Sequence, residues 1–126
     1  MSTRLSETTV SRLAEFIPEM DLRQMQVVTA APWRLLPVLL RMSAVTFTRF
    51  VLFRRGSFNE AEPWGLALIA HEAVHVGQVR ELGIAGFFAR YLWGQFHCRF
   101  RHERHPLELP AIELQRRARA ALEAEA

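Results

Sequence analysis

The chain has 126 residues, half of them hydrophobic, with a formal net charge of +3 and one cysteine. This length fits a single domain over residues 1–126 and leaves little room for a second one. One cysteine excludes an internal disulfide and favours a reducing compartment. All sixteen basic residues are arginine, which is typical of a GC-rich bacterial genome. The small charge excess permits nucleic-acid binding without demanding it.

Two apolar stretches bear on localisation. Residues 27–42 and 84–100 are both interrupted by proline or polar residues, and both fall short of a clean membrane span. The first twenty-one residues alternate charged and apolar side chains and lack the apolar centre of a signal peptide. We therefore expect a cytoplasmic protein with two buried helices, and peripheral contact with a membrane surface is the alternative for both stretches.

Residues 1–43 form a predicted N-terminal helical region. An amphipathic pattern predicts a helix over residues 6–16. Asp21 is suited to cap a second helix that runs to Val28. Pro32 is suited to begin a third, which Pro37 would kink or split.

Residues 44–120 form the predicted core of the domain. The β-branched and aromatic residues 45–53 predict a short strand or hairpin. Pro63 begins a helix that should stop at Gly83. Another helix is predicted over residues 84–101, and Pro106 begins the last one. The large aromatic side chains of this region, among them Trp64, Trp93 and the phenylalanines, are predicted to lie in the core.

The motif His71-Glu72-Ala73-Val74-His75 lies in the middle of the helix that follows Pro63. Residues four apart share a helix face, so both histidines can point at one metal ion. Glu72 lies about 100° further around the axis, beside the metal's open position, where it can take a proton from bound water. Zinc lowers the pKa of that water, so that hydroxide becomes available near neutral pH. The apolar neighbours of the motif disfavour the alternative of a solvated helix face.

A catalytic zinc site uses three protein ligands, and the third is less certain from sequence. We choose Glu108, because it lies in the first turn of a downstream helix that can pack against the HExxH helix. Glu113 lies on the same helix but nearer its arginine-rich half. Four other side chains that can bind zinc remain alternatives: His97, Cys98, His102 and His105. The ordinary interpretation is that the histidines lie at the surface and that the cysteine is a small buried apolar residue.

Three stretches, residues 71–78, 82–92 and 105–111, together resemble small bacterial zincin-like metallopeptidases of the gluzincin type. In those proteins an HExxHxxQ helix is followed by a GxxxFxxxY helix and then by a glutamate three residues before an alanine. Glu108 and Ala111 match that last element, whereas Pro110 stands where similar sequences tend to carry an acidic residue. The resemblance covers roughly residues 45–118, and HExxH is its sharpest part. It implies a minimal zincin fold with bound zinc and leaves the substrate open.

Two further residues are candidates to complete the site. Gln78 follows His75 by three positions and can orient a ligand through a hydrogen bond, or it can simply face solvent. Tyr91, the only tyrosine, can stabilise an oxyanion. We favour the interpretation that Tyr91 is a core aromatic residue whose hydroxyl has a hydrogen-bond partner in the protein, and in that case it has no such role.

We therefore expect a mainly helical α+β protein that hydrolyses peptide or protein substrates, with zinc held by His71, His75 and Glu108 and with Glu72 as general base. The same ligands also accept other divalent metals. The alternative is a non-catalytic, zinc-stabilised module that binds a protein or a membrane surface. An arginine-rich nucleic-acid binder ranks third, because no nucleic-acid motif accompanies the basic residues. The sequence does not determine the oligomeric state.

Overall fold

The structure, a computed structural model, describes residues 2–30, 37, 42–99 and 101–125. It is a mainly helical α+β fold, as predicted, and its described strands form a small four-stranded mixed sheet. In chain order the elements are β1 (Ser2–Thr3), α1 (Glu7–Leu13), α2 (Glu19–Gln24), β2 (Gln26–Val28), β3 (Ala44–Phe47), β4 (Phe50–Phe53), α3 (Pro63–His97), a 3-10 turn (His102–Arg104) and α4 (Leu109–Glu125). No helix in the described part of the chain is both long and apolar enough to cross a membrane.

The predicted strand or hairpin at residues 45–53 is a hairpin. β3 and β4 pair antiparallel, with Val45 opposite Leu52, and the chain reverses at Thr48 and Arg49. The strands of the sheet lie in the order β1-β2-β4-β3, so that β3 is at one edge. β3 also contacts α3, which places the hairpin beside the HExxH helix.

The predicted second helix was wrong at both ends. Pro18 precedes its first residue, and Asp21, the predicted cap, lies inside α2, where it is buried and bonded to Arg80. The residues that lead up to Val28, the predicted end of the helix, form strand β2 instead. β2 pairs parallel with β4, with Val27 opposite Val51. Long-range pairing of β-branched residues thus overrides a local helical pattern.

The other N-terminal predictions have mixed outcomes. α1 forms as predicted but is shorter, and the Ser6 side chain caps it by accepting from the Thr9 backbone N–H. The predicted third helix, from Pro32 with its kink at Pro37, lies outside the described residues apart from Pro37 itself. β1 and β2, both from the predicted N-terminal helical region, form one side of the sheet.

α3 begins at Pro63 and is interrupted at Gly83, as predicted. Gly83 has φ 77° and ψ 163°, which breaks the helical backbone and divides α3 into an N-terminal arm, residues 63–82, and a C-terminal arm, residues 84–97. Glycine reaches this positive φ without a steric penalty. Leu66, Ile69 and Ala73 of the N-terminal arm are completely buried in the core.

The last helix begins three residues later than predicted. Residues 106–108 form a turn in which the backbone N–H groups of Glu108 and Leu109 both donate to the His105 carbonyl. The His105 ring accepts a hydrogen bond from the Leu107 backbone N–H, at 3.0 Å. These bonds fix a turn ahead of α4, so Glu108 immediately precedes the helix rather than lying within its first turn.

The prediction that the large aromatics lie in the core was wrong for several of them. Trp64, Trp93 and Phe96 are exposed. The C-terminal arm of α3 buries only a narrow strip, which includes Phe87 and Gly94, so its remaining apolar side chains face outward. Helical periodicity gives the spacing of these residues but not the width of the buried strip.

Two glycines of α3 offer a matched test of this packing. A Cβ atom at Gly65 would overlap the Asn59 carbonyl oxygen, whereas the nearest atom to one at Gly86 lies 3.6 Å away. We expect Gly65→Ala to lower the free energy of unfolding by about 1–3 kcal/mol. We expect Gly86→Ala to raise it by about 0.5–1 kcal/mol, since alanine favours a helix.

Urea denaturation followed by circular dichroism measures both changes. Equal unfolding midpoints for Gly65→Ala and the wild type would contradict the close approach of the residue 59 backbone to α3.

Candidate metal centre

His71, Glu72 and His75 are buried on the N-terminal arm of α3. The arm is held by its apolar neighbours, of which Ile69, Ala70 and Ala73 are fully buried. The four-residue spacing places both imidazoles on one face, with ring centroids 5.2 Å apart. The apolar residues that pack this helix into the core therefore also keep the HExxH motif away from solvent.

Glu108 meets both histidines. Its Oε1 lies 3.1 Å from His71 Nε2 and 2.8 Å from His75 Nε2, and the residue is 1% exposed. One ligand atom from each residue lies within 4.8 Å of the other two, so the group could hold a metal ion. Two imidazole nitrogens and a carboxylate oxygen are a donor set that zinc uses in catalytic sites.

Gln78 orients the His75 imidazole by hydrogen bonding to its Nδ1. Its amide nitrogen donates to the Leu107 carbonyl at 2.9 Å, which assigns the two ends of the amide. Its Oε1, 2.8 Å from His75 Nδ1, is therefore an acceptor, and Nδ1 must carry the hydrogen. A neutral His75 then has its lone pair on Nε2, the atom that faces Glu108. This tautomer is the one that a metal ligand at Nε2 requires.

Gln115 has the corresponding place beside His71, and the sequence analysis missed it. Its Oε1 lies 2.7 Å from His71 Nδ1. Gln115 lies in α4, seven residues or about two helical turns beyond Glu108, which immediately precedes that helix, and both side chains meet α3. That spacing was the only signal for it in the sequence.

Glu72 lies beside the three grouped residues and is not one of them. Its Oε2 is 3.8 Å from His71 Nε2. The Thr46 hydroxyl of β3 donates to Glu72 Oε1 at 3.4 Å, a contact that the sequence did not indicate. Burial raises the pKa of Glu72, and the two nearby histidines offset that rise only in part. A carboxylate with a raised pKa is suited to accept and return a proton near neutral pH.

The charge of Glu108 dominates the electrostatics of the site. Burial alone would raise the pKa of Glu108, but hydrogen bonds from His71 and His75 outweigh burial, and its pKa is lowered. Burial would likewise lower the pKa of His75, but the Glu108 carboxylate raises it to about 9. Glu108 is thus an anion that holds a proton on a neighbouring imidazole.

Tyr91 also bonds to Glu108. Its hydroxyl donates to Glu108 Oε2 at 2.7 Å, so each carboxylate oxygen has its own partners. Burial and the Glu108 charge raise the pKa of Tyr91, which keeps its proton. In this arrangement the hydroxyl orients the carboxylate.

The alternative ligands lie apart from this group. His105 is fully buried, but its Nε2 donates to the Tyr91 carbonyl at 2.7 Å and its Nδ1 is occupied by the Leu107 N–H. Cys98 is buried against Gln95. His97 and Glu113 are exposed, and the side chain of His102 lies outside the described part of the structure.

A cleft of ≈ 300 Å³ adjoins the group. Glu72, His75 and Glu108 line it on the polar side. Its apolar wall includes Phe87 and Phe88 of the C-terminal arm of α3. Space for a ligand therefore lies next to the candidate general base and two of the candidate metal ligands.

Comparisons with known proteins place the chain in a family. No curated protein and no solved structure matches it significantly. A family model for the eCIS core domain matches residues 4–83, which is more than half of the chain and includes the HExxH motif. This match neither supports nor conflicts with the resemblance to zincin-like metallopeptidases. The chain belongs to the eCIS core domain family.

Proposed function

We propose that this chain is a zinc-dependent metallopeptidase. The observation that carries the proposal is the buried group in which His71 Nε2, His75 Nε2 and one Glu108 carboxylate oxygen converge within 4.8 Å. Glu72 lies beside that group and faces a cleft. Burial of three polar side chains around a common point is costly unless they bind one another or an ion.

A bound zinc ion supplies Lewis acidity, which polarises a carbonyl group and lowers the pKa of water. The protein supplies the remaining functions. His71, His75 and Glu108 hold the ion, while Gln78 and Gln115 fix the imidazole rings. Glu72 accepts the proton of the attacking water and delivers it to the leaving amine, and its raised pKa suits both steps.

A second function, a zinc-stabilised module without catalysis, has one observation in its favour. The Tyr91 hydroxyl donates to Glu108. A hydroxyl committed to a ligand in this way does not offer its hydrogen to a developing oxyanion. In this function the same three ligands join α3 to α4 and contribute folding free energy alone.

Metal content tests the site that both functions share. We expect purified wild-type protein to retain about one zinc per chain through dialysis against a mild chelator, and His71→Ala and Glu108→Ala to lose it. Glu113→Ala is the matched control, because Glu113 is an exposed glutamate of α4. Elemental analysis makes the measurement, and a wild-type protein without stoichiometric metal would exclude both functions.

The role of Gln78 gives a graded prediction. Gln78→Leu removes the acceptor of the His75 Nδ1 hydrogen and the donor to the Leu107 carbonyl, but it changes none of the three ligand side chains. We expect zinc affinity to fall by roughly 10–100-fold, as measured by competition with a chromogenic chelator. An unchanged affinity would show that Gln78 is a helix residue without influence on His75.

Proton release on metal binding follows from the raised pKa of His75. With a pKa of about 9 in the metal-free protein, His75 is protonated at neutral pH. Ligation requires the free lone pair of Nε2, so zinc must displace this proton. Calorimetry at neutral pH in buffers of different ionisation enthalpy should report about one proton released per zinc, and the number should fall towards zero above the pKa of His75.

No proton release at neutral pH would contradict the ion pair of His75 with Glu108.

Cleavage of a peptide library distinguishes the two functions. We expect the zinc-loaded wild type to cleave and Glu72→Gln to lose roughly 10²–10⁴-fold in rate while it retains zinc, since only the proton acceptor is removed. Mass spectrometry of the products makes the measurement. Cleavage that survives the substitution would point to a contaminant, and inactivity of both zinc-loaded proteins would favour the non-catalytic module.

A further inference from the structure

The C-terminal arm of α3 presents an apolar face to solvent. Five large side chains define this outer face: Ile84 is 55% exposed, Phe88 38%, Leu92 61%, Trp93 67% and Phe96 62%. Four of them recur every fourth residue, so they form one strip along the helix. A continuous strip differs from the scattered exposed apolar residues of ordinary surfaces and indicates an interaction site.

A basic concavity adjoins the end of this strip. Its lining comprises His97, Cys98, Arg99, Arg101, Arg104 and Pro106, around a volume of ≈ 310 Å³. Among the described residues, no carboxylate lies within 4.0 Å of any of these three guanidinium groups. The stretch of residues 82–102 contains no aspartate or glutamate, and the exposed Glu103 is the single acidic residue between Arg101 and Arg104. The concavity is therefore suited to an anionic group from outside the chain.

The apolar face and the basic concavity are one surface. The Trp93 and His97 rings are in edge contact, with centroids 4.7 Å apart, and His97 lines the concavity. Arg90 and His97 are the two basic residues among the exposed residues of the arm, and the arm contains no acidic residue. An apolar strip with aromatic residues and no acidic side chain, next to arginines that outnumber the single Glu103, matches the composition of helices that lie in a lipid headgroup layer.

We propose that this surface, residues 84–104, docks on an anionic phospholipid membrane. Leu92, Trp93 and Phe96 insert at the boundary of headgroups and acyl chains, where tryptophan is favoured. Arg101 and Arg104 bind lipid phosphates through their planar guanidinium groups. The docking is peripheral, consistent with the absence of a spanning helix in the described residues.

Two other occupants of the surface each match only one of its two parts. Pairing of this surface with the same surface of a second copy would leave the arginines without an anionic partner, because residues 84–102 carry no acidic side chain to meet them. A nucleic acid would satisfy the arginines, but it would leave the aliphatic Ile84 and Leu92 without apolar partners. Of these three occupants, the anionic lipid surface is the one that matches both parts.

Sedimentation of the full chain with vesicles tests the proposal. We expect binding to vesicles of phosphatidylcholine mixed with phosphatidylglycerol and much weaker binding to phosphatidylcholine alone. Arg101→Gln with Arg104→Gln should weaken binding by roughly fivefold for each arginine removed. The control carries Arg116→Gln and Arg117→Gln on α4, where both arginines are exposed.

A matched pair of variants tests the apolar half of the surface. Trp93→Ala should weaken vesicle binding, whereas Met20→Ala, at a side chain 57% exposed on α2, should not. Circular dichroism verifies that all variants are folded, which is expected because every substituted side chain is exposed.

Several results would overturn the proposal. These are no binding to the anionic vesicles, equal binding to both vesicle types, or equal loss in the target and control variants. Light scattering tests whether a second copy of the chain covers the surface, and oligonucleotide binding tests whether a nucleic acid does. A wild-type oligomer that Trp93→Ala dissociates, without vesicle binding, would identify a self-interface. Oligonucleotide binding without vesicle binding would assign the arginines to nucleic acid.

Discussion

The Glu108 carboxylate, buried between two imidazoles and a tyrosine hydroxyl, is the interaction on which the rest of this structure depends. An isolated carboxylate at 1% exposure would lose its hydration at a cost of several kcal/mol. Here both oxygens are occupied, one by His71 and His75 and the other by Tyr91. The carboxylate stays ionised, as its lowered pKa shows, and it stabilises a proton on His75. A metal ion at the same place would replace that proton with a larger positive charge.

This interaction constrains where the helices lie. Glu108 reaches both histidines only because α4 packs along α3, and the turn before α4 sets its direction. His105 fixes that turn from inside the core, with its ring against Tyr91 and its two nitrogens on backbone groups. A buried histidine close to a candidate metal group would ordinarily be suspected as a ligand. Both of its nitrogens serve the backbone, so it positions Glu108 without binding at the site itself.

How much the sequence could predict follows from the range of the forces involved. Local rules were sufficient for Pro63 and Gly83, since a helix start and a positive φ are decided within a few residues. They were also sufficient to place His71, Glu72 and His75 on one turn. Local rules failed at residues 26–28, where pairing with β4 overrides helical periodicity. They favoured Glu108 but left His105 open as an alternative, and they did not find Thr46 or Gln115, because only tertiary packing decides which polar side chains meet. The outward-facing Trp93 was missed for the same reason, since burial depends on what packs against the arm.

The family match ends at residue 83, where the backbone of α3 breaks. The matched stretch therefore contains both histidines and Glu72, whereas the residues beyond it contribute Glu108, Tyr91 and Gln115. Without those later residues, the Nε2 atoms of two buried imidazoles would lack the carboxylate that meets them here. The hydrophobic core crosses the same boundary, since Ala118 and Leu122 of α4 lie in one cluster with Ile69 and Ala73 of α3. Residues beyond the matched stretch therefore contribute both to the candidate site and to the hydrophobic core of this chain. In this chain the break at Gly83 is an internal bend, which turns the helix so that its second arm can carry Tyr91 to the site.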